Sequence, residues 1–370
     1  MTRIADEDTA EPIRVGMDMS ILRHPHTGSA RWAAGLLRSL RAVADLDLRS
    51  WMGPGRVGRG GPVRKLANLM IDTYWLDVGL PREARRTFRD VLLMPANLTS
   101  ARAHVPQVVT IHDLNFILQR EAYDGAYAAY AGSMFAASAR RAAAITTVSS
   151  YSREQIADRF HIDPSRIAVV YPGLDPPAQS VPRERQLARP YALYVGATEP
   201  HKDVPVLIEA WRDLTDLDLD LVLVGQPGRD HERVLTSARL ANGRVHVIGR
   251  VGQDVLESWY AHARVFVFPS LAEGFGYPPL EAMQRGIPVV ACASTSLPEV
   301  LGSAALFHGP GASDEIAGQV RRILDDVGLA ERLVDEGKRV TSRYTWSRTA
   351  SAMASILAGA ASGPTIGARS

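Results

Sequence analysis

Short apolar runs rich in Val, Ile and Leu alternate with longer amphipathic segments along this chain, and the alternation runs through twice. Apolar runs of that length read as strands buried on both faces, and the amphipathic stretches as the crossover helices that parallel strands require. In the first half the expected strands are Ile13–Met19, Leu46–Trp51, Asp90–Ala96, Pro106–His112, Ala144–Ser149 and Ile167–Tyr171. In the second they are Tyr191–Gly196, Leu219–Gly225, Val245–Val251, Arg264–Ser270, Pro288–Cys292 and Ala304–His308. The pattern predicts an α/β protein of two Rossmann-like, doubly wound domains.

Between the halves, Asp175-Pro176-Pro177-Ala178-Gln179-Ser180-Val181-Pro182, followed by the polar run Arg183–Arg189, has the composition of a linker. The expected boundaries are a first domain over 1–182, a second over 183–345, and a C-terminal segment over 346–370. The last begins with a helix, about Trp346 to Ala358, that could pack on either domain, and ends in a small, polar tail that reads as disordered. Ligands of open α/β sheets bind beyond the carboxyl ends of the strands, so chemistry is sought in residues that follow strands.

Composition narrows the partners. A chain of 370 residues with 42 basic against 40 acidic side chains carries no global field for nucleic acid or an anionic membrane. The single cysteine, Cys292, sits inside an apolar run and excludes a disulfide framework, which suits a reducing compartment. The N-terminal MTRIADEDTAEP is acidic where a signal peptide is basic and then apolar, and no run approaches the roughly 20 apolar residues of a membrane span. These features predict a cytoplasmic protein. The basic stretch Arg82–Arg89, with Arg56, Arg59, Arg64 and Lys65 upstream, reads as a solvated face or as one for an anionic acceptor or peripheral membrane contact.

The stretch EGFGYPPLE, from Glu273 to Glu281, follows the expected strand Arg264–Ser270. Gly274 and Gly276 permit positive φ and close backbone approach, Pro278 or Pro279 suits a first helical turn, and Gly286 closes the helix near Arg285. The expectation places Glu281 in the first turn. A helix start at the end of a strand offers free amides and a positive dipole end to an anion. Three readings of the two carboxylates stand at this point: a turn with a helix-favouring acid, a ligand site, and the acid and nucleophile or base of a glycosidase, which lie about 5 to 9 Å apart.

SLAEGFGYPPLEAMQRGIPVVACASTSLPEV resembles the retaining glycosyltransferases of family 4, in their mannosyltransferase-like branch. VTIHDL at 109–114, TTVSSYSREQI at 146–156, VVYPGLD at 169–175, YALYVGATEPHKD at 191–203 and VIGRV at 247–251 follow the same family's order, and the likeness spans about residues 13 to 350. The resemblance implies a GT-B fold, with a nucleotide sugar held mainly by the second domain and the acceptor by the first. It implies Glu281 on the donor ribose, Glu273 and the amides of Phe275 and Gly276 at the transferred sugar, and Lys202 at the diphosphate. It also implies Gly28, in the glycine loop opening the first helix, facing the diphosphate, and His112 near the reacting sugar. Many relatives carry an arginine where this chain has Ala197, and close ones an arginine at His201.

The implied reaction is metal-independent transfer of a hexose, GDP-mannose being the favoured donor, with no cofactor. The implied acceptor is a glycan, a lipid-linked saccharide or a natural product. A glycoside hydrolase and a non-catalytic partner subunit are the alternatives. Glu299 in SLPEV is expected to cap its own helix rather than face the nucleotide, and Arg31 to cover a helix surface or reach a phosphate. Gly53–Gly58 fits G-x-G-x-x-G but runs into more loop residues, so a dinucleotide site is not expected. Asp216–Asp220 precedes its strand and reads as solvated acids, while His24-Pro25-His26 has no further metal ligands nearby.

Overall fold

The computed structural model describes residues 11–23, 27–58, 61–115, 125–178, 187–241 and 243–363. The His24–His26 segment, Arg59, most of the expected linker and the last seven residues lie outside the described residues. Two parallel sheets of six strands form, and all twelve expected strands are present. They are β1 Ile13–Asp18, β2 Leu46–Trp51, β3 Val91–Met94, β4 Gln107–Thr110, β5 Ala144–Thr147, β6 Ile167–Val169, β7 Tyr191–Val195, β8 Asp220–Val224, β9 Val245–Gly249, β10 Ala263–Phe268, β11 Val289–Cys292 and β12 Ala305–His308.

Most strands stop one or two residues before their apolar runs do. Val148 and Ser149, after β5, and Ser270, after β10, stay buried although they have left the ladder. Burial alone therefore sustains an apolar pattern past the last strand hydrogen bond. Pro106 and Pro288, expected to open strands, have no N–H to give; their carbonyls accept from Leu92 N and Phe266 N at 2.9 Å each.

The order of the first sheet is β2-β1-β3-β4-β5-β6 and of the second β12-β11-β10-β7-β8-β9. The winding reverses between β1 and β3 in one and between β7 and β10 in the other, and such a reversal opens a crevice at the carboxyl ends. The second sheet is packed on both faces within one continuous core, which includes Tyr194, Leu207, Val222, Phe266 and Leu280. The first sheet has two cores. One face holds Leu80, Leu92, Val109 and Ile156; the other holds Val15, Met17, Trp32 and Leu36, together with Met353 and Leu357 from the C-terminal helix Trp346–Ser362. That helix packs on the first sheet. Gly35 lets it come close, since a Cβ there would sit 2.0 Å from the Trp346 ring.

Candidate functional site

Beyond β10 the chain turns through Glu273–Gly276 into the helix Tyr277–Gln284. The two glycines of this turn serve different needs. Gly276 has φ +92°, a left-handed conformation that costs other residues steric energy. A Cβ on Gly274 would lie 2.9 Å from Asp113 Oδ2 and 3.2 Å from the His112 carbonyl, so Gly274 allows the two halves to approach. Glu273 is fixed from below: its N–H donates to Thr295 Oγ1 at 3.0 Å and its carbonyl accepts from Ser296 Oγ at 3.0 Å. Gly286, with φ +72°, ends the helix as expected. Glu281 lies in the second turn rather than the first, because the helix begins at Tyr277 and takes both prolines into its first turn.

A cleft of about 740 Å³ separates the carboxyl ends of the two sheets. Gly28 and His112 line it from the first half, and Lys202, Glu273, Phe275 and Gly276 from the second. Gly28 begins the helix Gly28–Leu40 behind the Thr27 cap, whose Oγ1 accepts from Ala30 N at 3.2 Å. Glu281 does not line the cleft; it sits behind the rim, where Arg31 and Tyr260 hold its carboxylate, the Tyr260 hydroxyl donating at 3.0 Å. A larger hollow, about 900 Å³, adjoins Ile13 and Leu46. Those residues start β1 and β2, so that hollow lies at the amino ends, away from where ligands of such sheets bind.

Charges in the cleft are matched in pairs. Lys202 Nζ contacts Glu273 and stands 5.2 Å from the centre of the Phe268 ring. Arg31 of the first half reaches across to Glu281, lies 4.4 Å from the centre of the Tyr277 ring, and has Asp175 Oδ2 at 3.5 Å from its Nε. His112 is buried, and its Nε2 lies 2.9 Å from the Pro95 carbonyl. Burial lowers its pKa to about 4, so the ring is neutral at physiological pH. A carbonyl only accepts, which places the proton on Nε2 and leaves Nδ1 as an acceptor. Burial also raises the neighbouring Asp113 carboxyl, and burial followed by Lys202 lowers His201 to about 4.

Two further sequence expectations need correction. Glu299 caps a helix, but not its own: Ser150 N and Tyr151 N donate to it at 2.7 and 2.9 Å from the start of Ser150–Phe160 in the first half. Tyr171 OH adds a third bond at 2.6 Å. Asp220 is not solvated; it is buried in β8 with His246 Nε2 at 2.9 Å, whereas Asp216 is an exposed acid bonded to Arg321. Arg31, for which the sequence leaves a helix surface and a phosphate both open, lines the cleft. Its signal was its place three residues beyond Gly28, one helical turn from the helix start. Gly53–Gly58 is loop, as expected. Among the described residues no group of three or more His, Cys, Asp or Glu side chains is arranged to hold a metal, and no helix is long and apolar enough to cross a membrane.

Comparison with known proteins covers most of the chain. Residues 27–178 match the family described as glycosyltransferase family 4, and residues 178–340 the family described as glycosyl transferases group 1. The O-antigen chain mannosyltransferase B of Escherichia coli is 29% identical over 360 residues, 88% of this chain and 94% of that protein. Sucrose-phosphate synthase from Thermosynechococcus elongatus superposes with a TM-score of 0.74 at 18% identity, over 95% of this chain and 99% of that one. Anabaena HepE, solved in complex with UDP, gives 0.71 at 17% identity, over 94% and 100%. Those two superpositions speak to the fold alone: paired parallel sheets facing one cleft.

Proposed function

This chain belongs to the family 4, group 1 glycosyltransferases of GT-B fold, and on that premise we propose that it transfers a hexose from a nucleotide-diphosphate sugar to an acceptor hydroxyl with retention of configuration. Mannose, carried as GDP-mannose, is the favoured sugar, supported by similarity to a mannosyltransferase along nearly the whole chain. The acceptor is a glycan, a lipid-linked saccharide or a natural product. The observation that carries the reading is the convergence of Lys202, Glu273, Phe275 and Gly276 with Gly28 and His112 on one cleft at the carboxyl ends of both sheets.

In this reading Lys202 meets the negative charge that grows on the departing diphosphate, aided by the positive dipole end of Tyr277–Gln284, where Pro278 and Pro279 have no N–H to give. No metal is called upon. The paired charges of the cleft then exchange partners: Lys202 leaves Glu273 for phosphate, freeing that carboxylate to accept from hydroxyls of the transferred sugar. Glu281 takes the ribose hydroxyls once Arg31 yields, and Gly28 lets the first helix approach the diphosphate closely. His112, neutral and protonated on Nε2, accepts a sugar hydroxyl at Nδ1 and orients the ring rather than relaying a proton. Departure and attack on the same face of the sugar give retention.

Each carboxylate lies against a cation, whereas the proton donor of a glycosidase sits in an apolar pocket. That setting favours the transferase over the hydrolase. Incubation with a panel of sugar nucleotides, with and without saccharide acceptors, tests the proposal: acceptor-dependent nucleotide release and an axial product anomer from GDP-mannose are expected. Glycan cleavage without nucleotide would make the chain a hydrolase, and neither activity a partner subunit.

A further inference from the structure

The helix Pro62–Tyr74 turns most of its large apolar side chains outward. Its half-buried inward side mixes Ala67 and Ile71 with bonded polar groups: Asn68 Nδ2 donates to the Val57 carbonyl at 2.9 Å, and Asp72 Oδ1 accepts from Arg23 Nη1 at 3.1 Å and Arg56 Nε at 3.2 Å. Val63, Leu66, Met70 and Tyr74 are 78%, 59%, 65% and 60% exposed, and their spacing of three, four and four positions sets them in one stripe about 16 Å long. None of the described side chains on this helix is buried. Single exposed apolar residues are ordinary, but a continuous stripe on a helix marks a contact surface.

The surroundings indicate what covers it. From Met52 to Arg89 the chain carries eight basic and three acidic residues, against near balance overall; of the eight, Arg89 is buried against Asp47 and does not add to this face. All three acids are engaged locally: Asp72 as above, Asp77 with Ala101 N at 2.6 Å, and Glu83 with Arg86 at 2.7 Å. Arg64 on the helix, and Arg82, Arg85 and Arg86 on the following helix Leu80–Arg86, are exposed. The stripe, flanked by the exposed Leu69, lines neither of the two hollows described, so it offers no socket for a folded partner. A convex apolar ridge with a basic neighbourhood suits a fluid, negatively charged interface, into which such a helix sinks lying flat.

We propose that Val63, Leu66, Met70 and Tyr74 seat the first half of this protein on an anionic phospholipid surface. The test sediments the full chain with vesicles of phosphatidylcholine, alone or mixed with phosphatidylglycerol. Partition into the anionic vesicles only, weakening as salt is raised, is expected. Leu66→Gln with Met70→Gln lowers that partition roughly tenfold or more, and Arg64→Glu roughly fivefold or more. These exposed positions leave turnover on a soluble acceptor unchanged. Failure of the wild type to partition, equal partition into neutral vesicles, or full partition by the variants overturns the proposal. So does self-association of the wild type without lipid that the Leu66→Gln, Met70→Gln variant abolishes, because a second copy would then cover the stripe.

Discussion

The two halves share six parallel strands and one rule for placing a site, yet they are built differently. The second half closes a single core around both faces of its sheet. The first divides its core by face, and one face is completed only by Met353 and Leu357 from the far end of the chain. The second half supplies Lys202, Glu273 and the Gly276 turn, the first Gly28, His112 and Arg31. Packing drawn from its own elements, Val148 and Leu174 apart, accompanies the half that presents most of the charged groups; the half completed by the C-terminal helix also presents an apolar ridge to its surroundings. A sheet that relies on a distant helix can be perturbed without disturbing the other half.

Met353→Ala should show this most strongly. Met353 is fully buried between the C-terminal helix and the first sheet, and truncation of such a side chain costs about 2 to 5 kcal/mol. In calorimetry the first half's unfolding should move to lower temperature while the second half's stays, and Leu207→Ala, in the core of the second half, should do the reverse. A single transition moved equally by both variants would show that the halves unfold as one body, and the contrast drawn from their cores would fail.

Acid should weaken the first half through His112. Its folded pKa of about 4 lies below the unfolded value of about 6.5, so between these limits the unfolded chain binds a proton that the folded chain refuses. The stability is therefore present above about pH 6.5 and is lost as pH falls toward 4, by up to about 3 kcal/mol. Urea unfolding followed across that window should show a shallower loss for His112→Gln. His201 is lowered in the same direction in the second half, so the variant should remove part of the slope and leave the rest. An unchanged slope would contradict burial of a neutral ring at His112.

All twelve strands were legible because strands buried on both faces write continuous apolar runs. Their exact ends were not, since Val148, Ser149 and Ser270 remain buried after the ladder stops. The turn at Glu273–Gly276 was legible from its glycines, but not that Gly274 lies against Asp113. Pairings across the cleft left no local trace: Arg31 and Glu281 are 250 positions apart, and Glu299 meets amides about 150 positions away. Asp220 read as a solvated acid because its partner His246 sits on a neighbouring strand. Periodicity does not say which side of Pro62–Tyr74 meets solvent, and there Val63, Leu66, Met70 and Tyr74 do.

Removing a group from the second half's share of the site should cost more in turnover than in stability. Glu273→Ala is expected to lower turnover roughly a hundredfold or more, the scale of one lost transition-state contact, with the fold kept. Circular dichroism and single-turnover kinetics on the same preparation separate the two effects. Wild-type turnover would remove Glu273 from the site, and loss of folded signal would make its bond to Lys202 structural.

The smallest effect concerns the seam itself. Glu299 is an exposed residue of the second half whose two oxygens accept from Ser150 N, Tyr151 N and Tyr171 OH of the first, at the positive end of an 11-residue helix. A carboxylate at a helix N-terminus is worth about 0.3 to 1 kcal/mol when solvent-exposed. Glu299→Gln keeps one acceptor but loses the charge, so closure should weaken by a similar amount. Because the cleft draws its walls from both halves, the closed form is the one that grips a donor, and its reduced population raises the apparent dissociation constant. A rise of roughly two- to fivefold in donor KM is expected, with a larger radius of gyration in solution scattering and stability of each half unchanged. A variant with wild-type radius and KM would mean that the Glu299 contacts decorate the seam without holding it, and closure would then rest on Arg31 and Glu281.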